Sequence, residues 1–527
     1  MPDRVTRFIS EASFRQAIER FMRFTSLIVE LVRARPRLIF WIVVLAQAAL
    51  WLFLPWLVYG SPPGDVATVL AFGREYQVGT HLGPPLAFWL ADIAFRLAGG
   101  HIFGVYLAAQ LCFILTFWAL FKLGRAIVGA QQAILAVLLT VVITAFSFPG
   151  AEFGPSIVAR PLWALILLHT WQIIGQGRRR AWALLPVEIG LLVLTTSAAL
   201  PLLTMLAVFV LATPKGRRAL ASMDTLYAAI VTSVVLLPYA IWLIRVDTLT
   251  LPSLPAVAQL QDRLLGWGGL LAGLVFALSG VALLLIANSR ALDRKSEDPP
   301  LIFRPPVDPF ARLYIYVFAL VPPFVLSFFA ALFDRDQVIG GDGTALLLIG
   351  LAVVIAAGDL IALRRQHFLR TVWLIIIAAP AVVILGVTFV QPWVGSNEVR
   401  TSLPASDMGR FFSENFERRT GRPLAAVAGD PHLATLIGFA ARSRPHVMFD
   451  ATPQQTPWIT PQRFAENGGV VVWRAADTAG TPPESIRAHF PGLVAEVPRS
   501  FERLVKGRQS LVRIGWAIVR PAGQGSR

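Results

Sequence analysis

The chain alternates between long apolar runs and short polar breaks. The runs fall at about 38–59, 102–121, 131–148, 157–175, 225–244, 265–287, 313–333, 344–363 and 371–391. Each is close to the roughly 20 apolar residues that carry a helix across a bilayer. The run 182–212 is too long for one helix and short for two full spans. It reads as a hairpin broken near Thr195–Pro201. The pattern therefore predicts about eleven transmembrane helices.

From about residue 395 the pattern changes. Residues 405–420 carry apolar positions at helical spacing, which predicts an amphipathic helix on the outer membrane surface. Short strands and helices then alternate: a strand over Leu424–Ala428, a helix over Pro431–Arg442, a strand over His446–Phe449, a helix near Pro461–Glu466, a strand over Gly469–Trp473 and a final strand near Ser510–Val519. That alternation predicts a small α/β domain outside the membrane. The expected fold class is thus a polytopic α-helical membrane protein with a C-terminal extracytoplasmic α/β domain. Its parts are a basic cytoplasmic segment 1–37, a transmembrane region 38–394 whose first extracytoplasmic loop is 60–101, and a periplasmic region 395–527.

Composition supports a membrane protein, with 56% hydrophobic and 15% charged residues. A net charge of +16 would suggest a nucleic-acid partner in a soluble protein. Here it is explained by basic loops retained on the cytoplasmic side, and no nucleic acid is expected. The loops around 122–130, 176–181, 213–224, 288–312 and 364–370 are the Arg/Lys-rich ones. The opposite loops hold Asp65, Glu152, Asp247, Asp262, Asp334, Asp336 and Asp342. This asymmetry sets the N-terminus inside and, with an odd number of spans, the C-terminus outside. Residues 1–37 interleave arginines with Phe14, Ile18, Phe21 and Met22; they read as an amphipathic surface helix or as a disordered basic tail. The first run lacks a small-residue cleavage site and is expected to remain as an anchor. The single cysteine, Cys112, rules out an intramolecular disulfide. Arginine far outnumbers lysine, a bias that suggests a GC-rich bacterial genome and so a bacterial inner membrane.

The loop between the first two runs is the most patterned polar stretch. Asp65 stands just past the first run, at the start of a predicted helix, and Pro84-Pro85 opens a second helix rich in Phe and Trp. A carboxylate at a membrane surface beside an aromatic helix is a candidate general base. It is equally a helix N-cap. Asp92 and Arg96 are spaced i,i+4 with the acid first, as in a helix-stabilising pair. Arg160 lies about one turn inside its span, where a lipid-facing charge is costly. It is a candidate phosphate contact, or it snorkels to the headgroups. Glu188 is expensive in its hairpin unless paired. Arg245, Arg263 and Arg335 stand near outer span ends. Gly340-Gly341-Asp342-Gly343 reads as a turn before a span, since no strand precedes it. Asp430 and His432 read as a turn and a helix start. No Cys/His metal spacing and no Ser-His-Asp signature is visible in the sequence.

An acidic residue after the first span, followed by Pro-Pro-Leu and an aromatic helix, resembles the GT-C glycosyltransferases. The likeness is to glycosyltransferase family 39, the protein O-mannosyltransferases and lipid A aminoarabinose transferases. Asp65 and both prolines match that pattern. Val66, Gly83, Ser156 and the Thr195-Thr196 stretch stand where the family often has an acid, a charged residue, an acid and a lysine. The resemblance implies an inverting transfer of sugar from a polyprenyl-phosphate donor to a glycan, lipid or protein acceptor of the cell envelope, on the periplasmic side. It implies that Asp65 is catalytic and that His81, Glu152 and Arg160 bind substrate. No cofactor is identified beyond the lipid-linked donor, and the resemblance leaves the use of a divalent cation open. Two other readings remain at this point: a non-catalytic envelope scaffold descended from such enzymes, and a lipid or solute transporter.

Overall fold

The computed structural model describes residues 30, 32–148, 152–245, 259–289, 301–304, 306–395, 398–449, 456–475, 477–509 and 511–522. Most of the segment 1–37 lies outside these residues, as do Asp247, Arg290, Arg294 and Lys295.

Prolines open many of the helices, because the first helical turn needs no N–H partner and proline fixes its φ there. α1 (Pro36–Val58) and α6 (Pro155–Ile174) begin this way. Between them lie α2 (Val66–Arg74), α3 (Leu86–Leu97), α4 (Phe103–Val128) and α5 (Ala130–Val141). The broken hairpin supplies α7 (Leu185–Val193) and α8 (Ala199–Ala212). Then come α9 (Met223–Arg245), α10 (Leu260–Ala277), α11 (Ser279–Ala287), α12 (Pro309–Leu332) and α13 (Gln366–Phe389).

Among the described residues, six helices are long and apolar enough to cross a membrane: α1, α4, α6, α9, α12 and α13. The count is eight if each bent pair is one span; α8 with Pro214–Leu220 bends by 102°, and α10 with α11 by 44°. Three other segments read as spans from the sequence are shorter helices. These are α5, α7 and the stretch Asp342–Ala356. α7, with nine residues, rises only about 13 Å.

α4 packs against α1, α3, α5 and α6 and is central to the bundle. α6 is buried on nearly every side, with Trp163, Ile166 and Leu167 fully enclosed. A helix apolar all round belongs in the middle of a protein, and this one carries Arg160. The α7–α8 break is held by threonines: Thr195 Oγ1 donates to Leu191 O at 2.7 Å, and Thr196 Oγ1 accepts from Ala198 N–H at 3.2 Å. The N–H of Leu86 donates to Leu194 O at 2.9 Å, tying the start of α3 to that break.

The described residues form two sheets. β1 (Leu301–Phe303) and β2 (Leu360–Ala362) form a small antiparallel pair. The other sheet joins β3 (Ala426–Gly429), β4 (His446–Phe449), β5 (Gly469–Arg474), β6 (Arg499–Phe501) and β7 (Val512–Val519) in the order β4-β3-β5-β7-β6. β3 is parallel to both β4 and β5, while β7 is antiparallel to β5 and β6. Two helices pack beside it, α14 (Ala405–Thr420) and α15 (Pro431–Ala440). The stripe Met408, Phe412 and Phe416 on α14 is fully buried, and Phe412 meets Phe501 and Trp516. This corrects the expectation of a helix lying on the membrane surface, because the stripe covers protein core instead.

Candidate functional site

Asp65 occupies the N-cap position of α2, with its backbone carbonyl accepting from Val69 N–H at 2.9 Å, yet its carboxylate makes no capping hydrogen bond. The exposed carboxylate is therefore left to face what lies opposite. Gly64 has φ +54°, a conformation natural to glycine. A Cβ there would stand 3.2 Å from Cδ of Glu152. The turn thus lays Glu152 beside the Gly64–Asp65 backbone. Desolvation by the surrounding protein pushes the Glu152 carboxyl above its ordinary value, and the charge of Asp65 pushes it further; Arg160 opposes both.

Arg160 is close enough to Glu152 for their charges to act on each other. Its Nη1 donates to Ala145 O at 3.1 Å, its guanidinium stands 5.5 Å from the Phe146 ring centroid, and its Nε is buried with no hydrogen-bond partner among the described residues. Asp342 and Glu152 are the acids whose charges reach it. The side chain is thus packed inward, among protein groups. It also lines a cavity of about 10 Å³ with Trp51, Gln110, Thr116 and Phe148, barely room for one water.

Sequence reasoning missed the partner loop. Gly340 and Gly341 both have positive φ, and they bring Asp342 and Gly343 against α6. The available signal was the Gly-Gly-Asp-Gly turn itself, which says nothing of which helix it touches.

His81 is displayed at the tip of a tight turn closed by Thr80 N–H to Gly83 O at 3.2 Å and Gly83 N–H to Thr80 O at 3.0 Å. Its ring meets Phe72 edge-on at 5.4 Å, and Phe72 packs in turn against Phe449 and Trp458. The structure thus groups Asp65, Glu152 and Arg160, whereas His81 belongs to an aromatic seam shared with the C-terminal region. That seam also carries charge. His446 pairs with Glu75 at 2.8 Å, and Arg444 reaches Asp92 at 2.5 Å. The Asp92–Arg96 pair forms as spaced, at 2.6 Å.

Glu188 finds His169 on α6 at 2.8 Å, so it has a structural partner. Asp430 caps α15 by accepting from Leu433 N–H at 2.9 Å. Among the described residues no group of three His, Cys, Asp or Glu side chains could hold a metal ion.

Residues 83–242 match the family described as dolichyl-phosphate-mannose-protein mannosyltransferase. The family 39 resemblance holds. The matched stretch contains both prolines, Glu152 and Arg160, and begins after Asp65 and His81. No curated protein matches this sequence. Among solved structures, a mutant of the arabinofuranosyltransferase AftD from Mycobacteria aligns with TM-score 0.50 and 15% identity over 92% of this chain and 42% of that one. That likeness shows the GT-C fold alone. The archaeal oligosaccharyltransferase AglB from Archaeoglobus fulgidus, in complex with an inhibitory peptide and a dolichol-phosphate, aligns with TM-score 0.43 and 13% identity over 79% of this chain and 65% of that one. The protein spans about two fifths of the length of AftD.

Proposed function

We propose that this protein is a membrane glycosyltransferase that moves a sugar from a polyprenyl-phosphate donor to a hydroxyl acceptor at the membrane face carrying Asp65. The observation that carries the reading is the Asp65 carboxylate, which stands at a helix start without capping it, beside a Glu152 that also feels the charge of Arg160.

The chemistry follows from those positions. Asp65 accepts the proton of the acceptor hydroxyl. The acceptor oxygen attacks the anomeric carbon, the anomeric C–O bond to phosphate breaks, and polyprenyl phosphate leaves with the bonding pair. A general base contributes about 10²–10⁴-fold in such a step. Arg160 meets the charge that grows on the phosphate. Glu152 holds its proton to higher pH than an ordinary carboxylate, so one proton on the pair removes the repulsion between the two acids. Attack by the acceptor from the face opposite the phosphate gives inversion. The acceptor is a glycan, lipid or protein hydroxyl of the cell envelope.

In this reading α5, α7 and Asp342–Ala356 count as membrane passes, giving about eleven. The arginine-rich loops lie in the cytoplasm of a bacterial inner membrane, and the five-stranded region forms a periplasmic domain. Proteoliposomes supplied with radiolabelled polyprenyl-phosphate mannose and an envelope extract test the reading. The expected result is label in the extract and release of polyprenyl phosphate. Neither product, across mannose, arabinose and aminoarabinose donors, would favour the scaffold reading.

A further inference from the structure

Asp65 is exposed at the end of a loop whose preceding residues 61–63 are buried, and the structure shows what holds that loop still. Two grips close on it, one on the N-terminal side and one on the C-terminal side, and both come from beyond residue 398. Before Asp65, the N–H groups of Gly60 and Ser61 donate to Thr401 O at 2.9 and 3.2 Å, and Ser61 Oγ donates to Arg400 O at 2.7 Å. After Asp65, Arg444 fastens α2 to α3. Its Nη1 donates to Asp92 Oδ1 at 2.5 Å and its Nη2 to Leu70 O at 3.4 Å, while its guanidinium lies 4.6 Å from the Phe95 ring centroid.

This second grip is buried. The Asp92 side chain is 0% exposed and that of Arg444 18%. Arg444 itself holds φ +47°, a costly conformation for any residue bearing a Cβ. Asp92 also accepts from Arg96 Nε at 2.6 Å. α2 and α3 fit too closely to slide, since a Cβ on Gly73 would lie 2.1 Å from Phe88 O and 3.1 Å from the Asp92 Cβ. A buried ion pair is a weak device for stability and a better one for registry. What this pair registers is α2, and α2 starts at the residue after Asp65.

We propose that Arg444 is a positioning residue for Asp65, acting with the Arg400–Thr401 strap to hold the carboxylate against the acceptor. The proposal rests on the reading of Asp65 as the base. The C-terminal region then supplies geometry to the reaction while its own side chains take no proton. Asp92 relays the grip of Arg444 to α3, and the Leu70 carbonyl relays it to α2. A misplacement of about 1 Å can cost about a hundredfold in rate.

The test compares Arg444→Gln, Asp92→Asn and the double variant in proteoliposomes with polyprenyl-phosphate mannose, with rates expressed per folded protein. Arg444→Gln is expected to lower kcat at least about tenfold, inside that geometric range, with donor KM within about twofold. Arg444→Lys keeps the charge and should recover part of the loss. The double variant should be no slower than the worse single one, because both act through one contact. The acid limb of the pH–rate profile should also shift in Arg444→Gln, because the Asp65–Glu152 spacing changes. A purely structural role would lower the yield of folded protein and leave kcat and the pH profile alone, and that result overturns the proposal. An inactive Asp65→Asn beside a fully active Arg444→Gln overturns the positioning role alone. A fully active Asp65→Asn removes the base assignment as well. Amide hydrogen exchange gives an arm independent of turnover: exchange of residues 66–70 should rise at least about tenfold in Arg444→Gln if the grip holds α2. Unchanged exchange there overturns the proposal.

Discussion

A Cβ on Gly343 would stand 2.5 Å from Arg160 Nε, so the glycine is what lets the Asp342 turn close over the guanidinium. Gly343→Ala should push Arg160 aside without touching any group that takes a proton. A charged hydrogen bond to phosphate is worth about 1.5–3 kcal/mol, so displacement of Arg160 should raise donor KM roughly ten- to a hundredfold. Arg160→Ala should match it, and Arg160→Lys should recover little, because a single ammonium lacks the planar fork. Titration of initial rate against polyprenyl-phosphate mannose checks this. Unchanged donor dependence in both variants would remove Arg160 from the donor site.

Glu152 predicts a pH effect whose sign is fixed. Its folded carboxyl is held above the ordinary range by desolvation first and by Asp65 second. The folded protein therefore favours the protonated form relative to the unfolded state, and that preference is fully present below the unfolded value and lost as pH rises through the folded one. Glu152→Gln fixes the neutral state, so it should raise the melting temperature at pH 8 relative to wild type and make little difference at pH 4. The acid limb of kcat/KM should also change in this variant. Thermal unfolding in detergent at both pH values reads the first effect.

Much of the bundle was legible because apolar runs carry their own signal. α1, α4, α6, α9 and α12 lie close to where the hydrophobic pattern places them. β4 and β5 were legible as short apolar runs bounded by turn residues. β6 was not, since three residues at a sheet edge, Arg499–Phe501, hold no period. The stripe on α14 was legible as a stripe, but Met408, Phe412 and Phe416 read the same against lipid or against a sheet. The site was half visible. Asp65, Glu152 and Arg160 could be picked out by type and by place in the loops. Their mutual approach depends on the left-handed turn at Gly64 and on the Gly340–Gly343 loop, and no local pattern encodes either contact. Arg444 was invisible for the plainest reason, because its partner Asp92 is 352 residues away.

His169 and Glu188 test the difference between a site and a support. They meet at 2.8 Å, each with its side chain 10% exposed, where α6 packs on α7. Removing one partner of a buried polar pair costs about 1–3 kcal/mol or more. Glu188→Leu should thus lower the melting temperature while donor KM and the pH–rate profile of the folded fraction stay as in wild type. A changed donor KM at full folding would give the pair a role in the reaction.

Asp65→Ala separates the cap from the base. The carboxylate makes no capping hydrogen bond, so its loss should leave helix and protein stability nearly unchanged, against the roughly 0.5–2 kcal/mol that a working cap contributes. A melting curve that matches wild type, from a protein that does not transfer sugar, is the expected pair of results. A large loss of stability would mean the carboxylate caps α2 in the working protein.

The most direct measurement is the transfer rate of Asp65→Asn, which keeps the size and shape of the side chain and removes its ability to take a proton. In proteoliposomes with polyprenyl-phosphate mannose and envelope acceptor, release of polyprenyl phosphate per folded protein should fall at least about a hundredfold, the low end of what a positioned general base contributes. Transfer at near the wild-type rate would contradict the account, and it would leave Glu152 as the carboxylate to be tested in its place.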